Sequence, residues 1–303
     1  MPTLPRPQSR RALWLLLLAV AGAAATLPAD QRPTARVVVG CNWPPRARVA
    51  LAAIDHAGWN SLLRTYVTAD GLVDYAAWHK SPHDLQALRD YLVELSRADL
   101  LSPAPRAAQI AFWMNAYNAL TIFGILREYP ARSLAHHARA GAGYNLWRDL
   151  VLRVGRGEYS LGQIEHDRLR PLHDARIHFG IVCGSRGCPR LRNEAYTPGA
   201  LNGQLNADGR RFLAQPANFN HDRQAGTLRF SPILQWYAND FGKTDAERLQ
   251  AIAPFLPVDA VEQLRRTPEM PIHFGEYDWQ LNDAATNAEP PPSSPEDLGA
   301  PPD

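Results

Sequence analysis

One stretch limits what this chain can fold into more than any other. From Pro105 to about Glu128, the residues Ile110, Phe112, Trp113, Met114, Tyr117, Leu120, Ile122 and Phe123 put apolar side chains on nearly every side of a helix. Such a helix has no face to give to water, so it belongs at the centre, with other elements packed around it. Asn115 and Asn118 interrupt that surface three residues apart, on one face. Asparagine is a poor helix-interior residue and a buried amide needs partners. Two readings follow: these side chains orient a catalytic group, or they bind neighbouring backbone.

The elements around this helix are mixed. Leu85, Leu88, Leu92 and Leu95 step at helical intervals. Val151–Val154, Gly155-Arg156-Gly157 and Glu158-Tyr159 read as a hairpin, and Gly226 closes a second one between Phe219 and Phe230. Ser160 with Gln163 opens a helix carrying Ile164, Glu165, His166 and Leu169, which Pro171 should end. Arg176–Val182 reads as the best strand in the chain and leads into the glycine loop Cys183–Pro189. Thr197-Pro198 and Ser231-Pro232 each set a capping side chain before a proline at a helix start. The expected class is α+β: one domain of helices packed on a small mixed or antiparallel sheet.

The two ends read differently. Arg6, Arg10 and Arg11 precede an apolar run from Ala12 to Ala25 that closes on small residues, the pattern of an export signal over residues 1–25. The run is shorter than the roughly 20 residues of a spanning helix, so no integral membrane span is expected after its removal. Residues 26–45 read as a linker, 46–282 as the domain and 283–303 as a Pro-rich disordered tail. An exported protein, periplasmic or secreted, follows. With 32 basic against 30 acidic residues, the chain is too balanced to imply a nucleic-acid partner.

Cys183 carries the sharpest chemical suggestion. It leaves an apolar segment and enters a loop whose glycines let backbone N–H groups face an oxyanion. As a nucleophile it needs a base, usually histidine, and a group that orients that base. His166 is the first candidate, with Asn115 or Asn118 as orienter. His178, on a strand, would point away from Cys183, and Glu165 lies about 100° around the helix from His166. A different reading staples Cys183 to Cys188 as a small disulfide, favoured by an oxidising compartment. A third joins the two cysteines with His166 or His178 in a small metal site. No phosphate-binding glycine motif, H-E-x-x-H or G-x-S-x-G occurs, and no cofactor is expected.

These stretches resemble the family catalogued as domain of unknown function 547. The resemblance is carried by Ala111–Leu120, Ser160-Leu161 with Ile164-Glu165-His166, and Ile177-His178-Phe179 running into Cys183-Gly184-Ser185. It continues through Gly187-Cys188-Pro189, Trp236–Gly242 and Tyr277–Asn282. It spans about Asp55 to Asn282 and implies one domain, often exported in bacteria, with no settled activity. Asn115, Asn118, Glu165, His166 and Cys183 correspond to the firmest positions of the pattern, and Cys188 to a looser one. Glycine at 162, 180 and 184 departs from the more usual aspartate or alanine.

The function expected is a thiol-dependent hydrolase or acyl transferase of the cell envelope, in the logic of papain-like or transglutaminase-like enzymes. Its substrate would be a small molecule or peptide that the sequence does not identify. The alternative is a non-catalytic exported binding domain held by the Cys183–Cys188 staple.

Overall fold

The computed structural model describes residues 36–138, 144–267 and 270–286. The export signal expected over 1–25 and the tail residues 287–303 lie outside the described residues. The apolar segment forms one helix, Arg106–Glu128, in which every residue from Ile110 to Leu126 is buried. Pro130, just beyond it, bars the preceding residue from helical geometry and ends the run.

The elements that cover this helix bury one face each. Pro82–Leu95, capped by the Ser81 hydroxyl, contributes Leu88, Tyr91, Leu92 and Leu95, and Ala57–Tyr66 packs on it in turn with Trp59, Leu62 and Leu63. A three-stranded sheet lies on the same core, with Val37–Val39 parallel to Leu150–Val154 and Gly157–Ser160 antiparallel to it. Each large side chain removed from water in this way stabilises the fold by about 1.5–3 kcal/mol before ordering costs. A second apolar cluster, with Phe179, Phe212, Phe230 and Phe255, lies under the sheet formed by Phe219–Asp222, Thr227–Phe230 and Ile272–Phe274. Trp236 and Tyr277 pack against both clusters and mark the seam between them. The class is α+β, as the sequence suggests. Among the described residues, no helix is long and apolar enough to cross a membrane.

Five local expectations change. Arg176–Val182 is not a strand: Ala175–Phe179 is a 3-10 turn, with the Asp174 carboxylate accepting from Arg176 N–H. Among the described residues, no strand pairs with this segment. Its Gly180 carbonyl and Val182 N–H are instead taken by the Asn118 amide at 3.0 and 2.9 Å, so tertiary context overrides β-propensity. Pro171 does not end its helix, because Leu161–Gln163 runs into a π-helical turn, Ile164–Leu169, and then a 3-10 turn, Arg170–Leu172. At the first turn of that 3-10 segment a missing N–H costs nothing. Thr197-Pro198 makes a turn, and its helix starts three residues later, as Leu201–Leu213. Val37–Val39, inside the expected linker, is a strand. Asp283, at the start of the expected tail, is buried and bridges to Val73.

Asn118 therefore satisfies one backbone donor and one acceptor on a segment with no ladder of its own. Asn118→Ala leaves the Val182 N–H buried and unpaired, at about 1–3 kcal/mol, and the Gly180 carbonyl with only a long bond of 3.4 Å from the Tyr196 hydroxyl. Urea unfolding should show a stability loss of roughly 1–3 kcal/mol with an unchanged m value; a change below about 0.5 kcal/mol would contradict this role.

Candidate functional site

The site forms where the irregular chain from Asp174 to Pro189 crosses the seam. Asn115 and Asn118 are structural anchors here. The Asn115 amide donates to Tyr196 O at 2.8 Å and accepts from Tyr196 N–H at 2.9 Å, while Asn118 holds Gly180 and Val182 as described. Both side chains are thus engaged with backbone and hold the segment that carries Cys183.

Cys183 and Cys188 are joined in a disulfide. Gly184 sits in the left-handed region at φ 89°, where a side chain is strained, and a Cβ there would displace the tip of Ile125 on the central helix. The Tyr277 hydroxyl lies 3.1 Å from Cys183 Sγ, 3.0 Å from Cys188 Sγ and 2.8 Å from Ser185 Oγ. Burial pushes the Tyr277 phenol up, with the Ser185 hydrogen bond acting in the opposite sense. Joined sulfurs cannot act as thiolate ligands, so this state does not form the metal site read from the two cysteines. Among the described residues, the metal-ligand side chains that converge are Glu128, His136 and His137, their donor atoms within 4.8 Å of one another. There the Leu146 N–H donates to His137 Nδ1 at 3.3 Å, which leaves the Nε2 proton for Glu128 at 2.9 Å. That is the pattern of a hydrogen-bonded pair.

A cavity of about 30 Å³ opens beside the disulfide, lined by both cysteines, Glu165, His178, Tyr117, Tyr237, Tyr277 and Trp236 with small apolar neighbours. His178, set aside on strand alternation, lines it because a 3-10 turn has no such alternation. His166 does not line it. Its Nδ1 faces Arg170 Nη1 at 2.8 Å, and since a guanidinium only donates, that nitrogen is an acceptor. Glu165 and His166 thus diverge as helical spacing requires: Glu165 inward within the π-helical turn, a feature often found at functional sites, and His166 toward Arg170.

Asp240 organises the polar side of the site. It accepts from Arg170 Nε and Nη2 at 2.7 and 2.9 Å and from His178 Nε2 at 2.7 Å. Burial pushes the Asp240 carboxyl up, but hydrogen bonds from His178 and Arg170 and their charges outweigh it, holding the group well below the usual carboxylate range. Asp240 is therefore an acceptor only, and the network places a proton on His178 Nε2, which in the neutral ring leaves Nδ1 the acceptor. His178 Nδ1 is left buried with no hydrogen-bond partner, as is Glu165 Oε1, and the two atoms are 4.0 Å apart. Tyr237 stacks on the His178 ring at 3.9 Å between centroids, 19° from parallel. Burial, and then the Glu165 charge, holds the Tyr117 and Tyr237 phenols well above their ordinary value.

Fold and site together define an α+β protein with an aromatic cavity floored by a disulfide. Over residues 101–213 the chain matches the family model described as "Protein of unknown function, DUF547", and for that stretch the resemblance read from the sequence holds. The match includes the central helix, Glu165, His166, His178 and both cysteines, and leaves Trp236, Tyr237, Asp240 and Tyr277 outside. No curated protein and no solved structure matches the chain. Sequence reasoning assigned no role to Asp240, Arg170, Tyr237 or Tyr277. The runs Trp236–Gly242 and Tyr277–Asn282 stood out in the sequence, but neither shows which of its residues faces the cysteines.

Because its folded value is depressed, Asp240 contributes stability that is fully present above the ordinary aspartate range, near pH 4, and is lost as pH falls through the folded value. Wild type should exceed Asp240→Asn in urea midpoint at pH 6, and the gap should narrow steadily below about pH 4. A gap that is constant or widens on acidification would show that Asp240 is not held as a carboxylate.

Proposed function

We propose that this chain is an exported thiol-dependent hydrolase or acyl transferase. Cys183 is its nucleophile, His178 the base, Asp240 the group that orients the base, and the Cys183–Cys188 disulfide a resting state. The observation that carries this reading is the cavity that Cys183 shares with His178, whose Nε2 is fixed by Asp240 and whose Nδ1 is left open. A nucleophile, a base and a group orienting that base through its far nitrogen is the logic of cysteine hydrolases, recognised by geometry rather than chain order.

A dithiol reductant first supplies two electrons and two protons, leaving thiols at Cys183 and Cys188 and a disulfide on the reductant. His178 Nδ1 then takes the Cys183 proton. The thiolate attacks an acyl carbonyl, the C–S bond forms, and the bond to the leaving group breaks as His178 returns the proton to that group. Water or another nucleophile releases the acyl group from sulfur by the same steps in reverse. In this scheme His178 takes the role that sequence spacing gave to His166. Asn115 and Asn118 act only by holding the backbone.

The disulfide itself favours a second reading, a non-catalytic exported binding domain stapled at its cavity. Alkylation with a cysteine-reactive probe, followed by peptide mapping, separates the two. Without reductant only Cys41, which is exposed and unpaired, should react. After reduction Cys183 should react below pH 7 faster than Cys41, because a neighbouring imidazolium lowers a thiol's pKa from about 8.5. His178→Ala and Asp240→Asn should each slow that reaction about tenfold or more, and His166→Ala by less than about twofold. A reduced Cys183 that titrates like Cys41, or one indifferent to His178, would leave the binding-domain reading in place.

A further inference from the structure

The Tyr117 and Tyr237 hydroxyls approach the Glu165 carboxylate from the cavity wall, but two buried acceptors beside them remain. Glu165 Oε1 and His178 Nδ1 lack partners and lie 4.0 Å apart, too far to bond each other. Glu165 is 3% and His178 2% exposed. Two such atoms facing one space are satisfied by an occupant that donates twice. The local charge says more. Arg170 is matched by Asp240 through paired hydrogen bonds, and with the His178 ring neutral the Glu165 carboxylate has no ion-pair partner in the cavity lining. An unmatched buried carboxylate is costly, and a cation removes the cost. The walls suit a cation as well, since Tyr117, Trp236, Tyr237 and Tyr277 line the same space and aromatic faces attract positive charge. About 30 Å³ admits roughly one or two water-sized groups, enough for an ammonium head with its chain leading out.

We infer that this cavity recognises a primary amine, whose ammonium head donates to Glu165 Oε1 and His178 Nδ1 inside the ring of aromatic side chains. Recognition of the amine stands by itself. Its use in chemistry rests on the thiol reading above and narrows it: the amine is the acyl acceptor, or the leaving group of an amide. In the acceptor direction the bound ammonium first gives one proton to water at the cavity mouth, and the neutral amine nitrogen then attacks the Cys183 thioester: a C–N bond forms and the C–S bond breaks. The nitrogen's proton passes to His178 Nδ1, and the electron pair of the broken bond remains on the Cys183 thiolate.

The test is calorimetric titration of the oxidised full chain, in which no acyl transfer occurs, so its outcome is separate from that of the thiol reading. The probes are n-butylamine and Nα-acetyl-lysine methylamide, with tetramethylammonium as a cation that lacks N–H and n-butanol as a neutral donor. Saturable binding of either amine, at least about tenfold tighter than either control, is expected, and Glu165→Gln should weaken it about tenfold or more. Preference for the lysine derivative would assign the amine to a peptide, and preference for butylamine to a free small molecule. If Glu165→Gln does not fold, the wild-type chain still decides: the amines should raise its urea midpoint and tetramethylammonium should not. No saturable binding, equal binding of tetramethylammonium, or a folded Glu165→Gln that binds as wild type would overturn the inference and leave water as the occupant.

Discussion

The arrangement depends on two amide side chains on an otherwise apolar helix. Asn115 and Asn118 reach from the centre of the core to backbone at Tyr196, Gly180 and Val182. The chain they hold has few regular hydrogen bonds of its own between residues 180 and 195. Without the amides, that chain would carry unpaired N–H and C=O groups into the core, a cost that regular structure normally avoids. With them, an irregular path can lie against the helix and bring His178 and Cys183 to one cavity. A polar group buried this deep is costly to remove and specifies one geometry.

Asp240 does for the side chains what the asparagines do for the backbone. By accepting from both Arg170 and His178 it neutralises the guanidinium, fixes the imidazole tautomer and leaves the other ring nitrogen open. It joins the helical turn carrying Arg170, the 3-10 turn carrying His178 and the short helix Ala238–Phe241. The disulfide loop and the aromatic walls line the same cavity. The two proposals, thiol chemistry at Cys183 and amine recognition at Glu165, use the same vacant acceptor, which is why one cavity serves both.

Much of the fold could be read from local pattern. The all-round apolarity of 105–128 gave a central helix, the Ser81 and Ser231 positions are capped helix starts, and both glycine-closed hairpins form. Local pattern failed where long-range hydrogen bonds replace a ladder. Arg176–Val182 has strand composition, yet Asp174 and Asn118 supply its partners and turn it into a 3-10 path. Strand alternation would turn His178 away from Cys183, whereas the 3-10 path does not alternate and brings it to the cavity. The cysteines were legible as a pair, and the disulfide was among the readings. The ion pair of Arg170 with Asp240 was not: the two lie 70 residues apart, and nothing local distinguishes them from any surface arginine and aspartate.

The central claim is that His178 presents an unprotonated Nδ1 to the cavity while Nε2 donates to Asp240. Long-range proton–nitrogen correlation spectra of the nitrogen-15-labelled chain, taken above the ordinary histidine range so that the ring is neutral, read this directly. The account predicts the Nε2–H tautomer for His178, shifting toward a mixture in Asp240→Asn. A Nδ1–H tautomer in the wild-type chain would contradict it, because the cavity would then hold a donor facing Glu165 and no vacant acceptor on the imidazole.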